Sequence, residues 1–335
     1  MDLATELIEG IVRDFPAHQP GTRPVHAYGF VAQGRFRPND IAARHSSAAL
    51  FADQGGVEVT VRFSNGTGNR DVPDGRRDVR GMAVRFHGEP GKAWDMVCMT
   101  LPVFFVRTVA EFRQLTEAAV PPVPAKSRPW WRGVLDSLNL RTPPVDPDPG
   151  DAGVVALSAH LPGACPALVA GFNAGIPESF ATLRYHPVHA FELTGGDGGR
   201  CWVRFTWDPV AGVRNVAPGA GLSLGAELRT RCEKGPLQFV LRAQVADQGD
   251  DVSDPSRPWP ETRRRLVLGH LTLDRFGADP AEASATDTGE ELAFNPHVLP
   301  DGIRACPDDE IFQVRGDAYR TSAAIRSRAR AASWS

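Results

Sequence analysis

The segment Val57-Glu58-Val59-Thr60-Val61-Arg62-Phe63-Ser64 alternates apolar and polar residues without a break. Successive side chains of a strand point to opposite faces, so Val57, Val59, Val61 and Phe63 line one side. Outward from it, Gly81–Phe86 and Trp94–Met99 read as further strands, as do Arg23–Phe30 and Pro102–Arg107. The second half offers strands over His189–Leu193, Trp202–Trp207, Leu237–Val245 and Leu266–Leu273. Residues 2–14 read as an amphipathic helix with Leu3, Leu7, Ile8 and Ile11 on one side, and Val109–Ala119 as a second helix. A Pro-rich, irregular connector covers about 120–153. Many short strands with helices at the edges and the end predict an α+β fold, an antiparallel β-barrel with appended helices. There is no internal repeat, and residues 1–335 are taken as one domain.

Bulk properties narrow the function. A net charge of -3 and a pI near 6.3 give no reason to invoke nucleic acid or an acidic membrane surface. No apolar run approaches the ~18 residues of a membrane span. The acidic N-terminal stretch does not have the pattern of a signal peptide, which makes the cytoplasm the default compartment. The five cysteines are scattered and include no Cys-x-x-Cys pair, arguing against a disulfide framework or a zinc site.

The stretch from Pro307 to Arg326 reads as a helix capped by Asp308, with Asp309 and Glu310 in its first turn. Gly316 weakens its middle by roughly 1 kcal/mol relative to Ala. On this helix Arg315, Tyr319 and Arg326 share a face, with the small residues Ala318, Ser322 and Ala323 beside them. Two readings fit this face. One is a surface Arg–Tyr stack; the other is a phenolate, favoured by the neighbouring guanidinium, that ligates ferric iron.

Five phrases bear on that choice: Arg23-Pro24-Val25-His26-Ala27-Tyr28-Gly29, Val61-Arg62-Phe63-Ser64, Asp78-Val79-Arg80-Gly81-Met82-Ala83-Val84-Arg85-Phe86, Trp94-Asp95-Met96-Val97 and Pro102-Val103-Phe104-Phe105-Val106-Arg107. In order and spacing they resemble the catalase family. The Arg315–Tyr319 pair falls where that family keeps its proximal haem ligand, and Arg326 where it keeps a further haem arginine. The resemblance is dense over residues 20–115 and 290–330 and thin between. The chain looks like the small, core-only branch of catalase-related peroxidases, without the long N-terminal arm or the C-terminal helical domain.

The resemblance implies a catalase-like barrel with haem b between it and the C-terminal helix. Tyr319 would be the proximal ligand to ferric iron, kept anionic by Arg315. His26 would be the distal acid and base, suited to both steps by an unperturbed pKa of ~6.5. Ser64 would fix the tautomer of His26. Arg23, Arg62 and Arg326 would pair with the haem propionates, Phe112 would stack on the haem, and Val25 would crowd the distal side. The partners implied are a small peroxide and an organic reductant, with neither nucleic acid nor membrane. Small members of the family are often homodimers, and the N-terminal helix is available for such a contact. His186, His189, His270 and His297 are treated as structural, and Phe104 and Phe105 as core.

Two positions depart from the family. Met99 stands where full catalases have an Asn that helps hold peroxide, and a thioether cannot donate a hydrogen bond. Gly66 stands where the family often has a bulky apolar residue, and is expected to open the access channel. Both favour a peroxidase with little or no catalase activity. The alternatives are a weak catalase, a fatty-acid hydroperoxide lyase or isomerase, a haem-binding or peroxide-sensing protein without turnover, and a cofactorless barrel that binds lipid.

Overall fold

The alternating segment is the strand β2 (Val57–Asn65), and it lies between β1 (Gly29–Pro38) and β3 (Arg80–Phe86) in antiparallel register. The computed structural model describes residues 3–14, 19–118, 161–217, 220–277 and 291–332. Beyond β3 comes β4 (Trp94–Met99). In chain order the remaining strands are β5 (Ile176–Pro177), β6 (Phe191–Thr194), β7 (Arg200–Pro209), β8 (Asn215–Val216), β9 (Leu237–Val245), β10 (Arg265–Phe276) and β11 (Ile303–Ala305). Nine of them form one antiparallel sheet in the order β11-β6-β7-β9-β10-β1-β2-β3-β4. Single bridges, Met99 to His186 and Tyr185 to Trp207, tie β4 back to β7 and curl the sheet into a barrel. The expected α+β barrel is what the chain forms.

The inner face is aromatic. Phe36 meets Trp207 edge-on at 5.9 Å, and Phe86 stacks on Trp94 at 5.5 Å. Each such ring, fully buried, contributes about 1.5–3 kcal/mol. The outer face of β2 is also covered, since Thr60, Arg62 and Ser64 are all buried. Polar side chains sealed on that side need partners, which makes it the place to look for a site.

The helices are α1 (Leu3–Asp14), α2 (Asp40–His45), α3 (Ala49–Ala52), α4 (Val109–Ala118), α5 (Cys165–Asn173), α6 (Leu224–Lys234) and α7 (Glu310–Ala332). Leu7 and Ile8 of α1 are buried, α1 packs on α7 and α4, and Arg113 pairs with Glu6 at 2.7 Å. The apolar side of α1 is thus turned onto its own chain. Among the described residues no helix is long and apolar enough to cross a membrane. The five cysteines are free thiols. The Pro-rich stretch about 120–153 lies outside the described residues.

Four local expectations are corrected. Residues 23–27 are not a strand: β1 starts at Gly29, and His26 before it has a left-handed φ of 57° that no ladder accepts. Pro102–Arg107 forms no strand either; it contributes a backbone bond from Phe104 to the Pro255 carbonyl at 2.8 Å. The cap of α7 is Asp309 rather than Asp308, because Asp309 Oδ1 accepts from the Phe312 amide at 2.9 Å. Gly316 is a notch, since a Cβ there would stand 2.1 Å from the ring of His297.

Candidate active site

His26 is held by the end of β2. Its amide donates to the Gly66 carbonyl at 3.0 Å, and the Ala27 amide donates to Thr67 at 3.2 Å. This hook turns the imidazole toward Ser64, whose Oγ lies 3.0 Å from Nδ1. Glycine makes the room: a Cβ at Gly81 would stand 2.8 Å from His26 Nδ1. Gly29 does the same for Arg62, whose Cζ would lie 2.5 Å from an added Cβ.

The register places Gly29, Ser64, Gly81 and Met99 in one row across four strands. Residues directly opposite share a face, so Met99 is on the same side as Ser64, with the His26 ring over the glycine between them. Met99 and Val25 are half-buried. Arg23 anchors the preceding turn through a 2.6 Å bond to the Leu292 carbonyl.

Burial pushes the His26 pKa down to about 3, helped by the guanidiniums of Arg62, Arg23 and Arg315 and opposed by a bond to the Asn65 backbone. The imidazole is therefore neutral at pH 7, and the unperturbed value near 6.5 does not hold. Arg315 comes from α7, so His26 and the C-terminal helix lie close enough for charge to be felt.

On that helix Arg315 Nη2 donates to the Tyr319 hydroxyl at 3.3 Å, one turn on. Its Nη1 meets His189 Nε2 at 2.7 Å, and His189 Nδ1 meets Asp309 Oδ2 at 2.7 Å. A guanidinium only donates, so Nε2 accepts and the proton of the neutral ring sits on Nδ1, where it bonds the carboxylate. Burial holds the His189 pKa down despite Asp309, in keeping with that neutral form. A chain Asp309–His189–Arg315–Tyr319 thus runs from a buried carboxylate to a half-buried phenol.

Reading His189 as structural left out its link, through Arg315, to Tyr319. The available signal was its alternation with Phe191 and Leu193, which puts a polar ring on a buried face that requires a partner.

Arg326 is buried, with Nη1 2.9 Å from Ser322 Oγ. Phe112 stacks on Phe104 at 6.1 Å and 22°, in a cluster with Val188 and Ile311. Gly66 does not open a channel. A Cβ there would stand 2.3 Å from the Val79 carbonyl, and its amide donates to Asp78 Oδ2 at 2.8 Å. This glycine permits close backbone approach. His186 and His297 serve structural bonds, to Thr206 and to the Phe312 carbonyl, and His270 is exposed. A separate cavity of about 450 Å³ lies past Val188, with Arg204 and Trp259 in its wall and neither His26 nor Tyr319.

The catalase profile matches residues 5–133. A protein named catalase-related peroxidase from Mycolicibacterium paratuberculosis is 30% identical over 94% of this chain and 92% of its own length. The chain belongs to the catalase family. Catalase-3 of Arabidopsis thaliana is 28% identical over 92% of this chain, and the catalase of Alkalihalophilus pseudofirmus 27% identical over 91%. The chain spans 61% and 44% of those two longer relatives. Catalase A from Saccharomyces cerevisiae superimposes with a TM-score of 0.69 over 94% of this chain and 63% of its own, at 18% identity, a likeness of fold.

Proposed function

We propose that the protein is a haem b peroxidase that reduces hydrogen peroxide or organic hydroperoxides with an organic electron donor and evolves little oxygen. The observation that carries this is a neutral imidazole on the barrel within electrostatic reach of Arg315, which bonds the Tyr319 phenol on α7, with Met99 on the imidazole's face of the sheet. The donor set fits a porphyrin. Tyr319 would offer iron one phenol oxygen, held by Arg315, and a porphyrin would bring the remaining ligands. Arg23, Arg62 and Arg326 supply the forked cations that match two carboxylates. The name and near-complete coverage of the mycobacterial relative support the same reading.

When bound, the haem would supply the redox centre through which electrons from the donor reach peroxide. His26, neutral, takes a proton from the nearer peroxide oxygen and delivers it to the departing one. Ser64 keeps the ring in the orientation that permits both transfers. Asp309, through His189 and Arg315, keeps the phenol oxygen aimed and charge-compensated. Met99 offers no N–H to a second peroxide, so the step that releases dioxygen is weak.

The test is an oxygen electrode beside a dye assay on purified, haem-loaded protein. Dye oxidation with little oxygen release supports the reading, and vigorous oxygen release without dye oxidation overturns it. Rearranged lipid hydroperoxides without donor would mark a lyase or isomerase, and a Soret band without turnover a binding protein. Met99→Asn is expected to raise oxygen release at least roughly tenfold, since one well-placed donor is worth that or more.

A further inference from the structure

We propose that Met99 is an oxidation site, converted to its sulfoxide by peroxide that reaches the face of the sheet where His26 lies. The inference rests on the reading above. Three methionines are described, and two are sealed in the barrel: Met82 and Met96 are 0% and 1% exposed. The sulfur of Met96 also accepts the Trp207 indole N–H at 3.1 Å. Met99 alone of these three is half-buried. Its backbone is fixed by a 2.9 Å bond to the His186 carbonyl, and its side chain packs against the cluster of Leu101, Val103 and Ala167.

The row Ser64–Gly81–Met99 brings this thioether to the face where the His26 ring occupies the space above Gly81. A thioether is a soft, polarisable nucleophile, and methionine sulfoxide is its first oxidation product. The sulfur lone pair attacks one peroxide oxygen and the O–O bond breaks. The proton on the attacked oxygen passes through the neutral His26 ring to the departing oxygen, leaving as water. Sulfur loses two electrons and peroxide gains them, so no further reductant is required. The product carries a polar oxygen that accepts hydrogen bonds and still offers no N–H. Accumulated peroxide exposure thereby rewrites the polarity of the face where His26 lies.

The experiment treats haem-loaded protein with graded hydrogen peroxide, digests it, and places added oxygen by peptide fragmentation. Fragment ions are needed because Met96 and Met99 fall in one tryptic peptide. Met99 is expected to gain one oxygen at least roughly tenfold faster than Met82 and Met96. In His26→Ala, and in His26→Gln as a bulkier check on folding, that rate is expected to fall to the level of the two buried methionines. Equal rates at all three methionines, or a Met99 rate indifferent to both His26 variants, would overturn the proposal. Dye oxidation with Met99 left unmodified would sink this inference alone. His26-dependent oxidation of Met99 without dye turnover would sink the peroxidase reading and leave this one standing.

Discussion

The two sides of the candidate site are built by different physics. On the barrel side His26 is placed by shape: a left-handed turn, two hooking backbone bonds and glycines that leave room for a ring and a guanidinium. On the helix side Tyr319 is placed by a relay of polar atoms, ending in a carboxylate distant in sequence from its histidine. The first arrangement should fail when a methyl is added. The second should fail when a polar atom is removed.

Five substitutions at four positions put that contrast to work, from the largest expected effect to the smallest. Tyr319→Phe removes the phenol oxygen and is expected to abolish stable haem retention, read as the Soret-to-protein ratio after gel filtration. His26→Ala is expected to keep haem and slow the stopped-flow reaction with peroxide by roughly a hundred- to ten-thousandfold.

The same histidine fixes the pH response. A base with its pKa at about 3 stays unprotonated well below the ordinary histidine range, so the acid limb of the peroxide reaction should lie below pH 5. A limb near 6.5 would mean that the arginines and burial do not act on the ring in the loaded protein.

Gly81→Ala adds only a methyl, yet builds it 2.8 Å from Nδ1. Displacing the ring by about 1 Å is expected to cost about a hundredfold in rate with haem still bound. Asp309→Asn keeps an oxygen for the helix cap but loses the charge facing His189, and about a tenfold loss in haem affinity is expected. Asp309→Ala should also lose about 1–2 kcal/mol of stability with the cap, measured by urea unfolding.

Much of this was legible in the residues. β2, β3, β4 and β9 were readable because alternation of apolar side chains is a local property that the barrel uses directly. The pairing of Arg315 with Tyr319 was readable because four-residue spacing on a helix leaves little choice. The left-handed turn at His26 was not, since a histidine between two strand-forming stretches carries no mark of a positive φ. Gly66 was misread for a related reason. A glycine reports that something comes close, without saying whether it is solvent or the Val79 carbonyl. His189 lay hidden because its partners sit 120 and 126 residues away, beyond any local pattern.

Asp309 begins α7 and at the same moment supplies the far end of the relay to Tyr319. A ribosome emits the imidazole side early and this carboxylate almost a whole barrel later. On the proposed reading, nascent chains therefore present only half a berth, and cofactor capture becomes an event of the finished polypeptide.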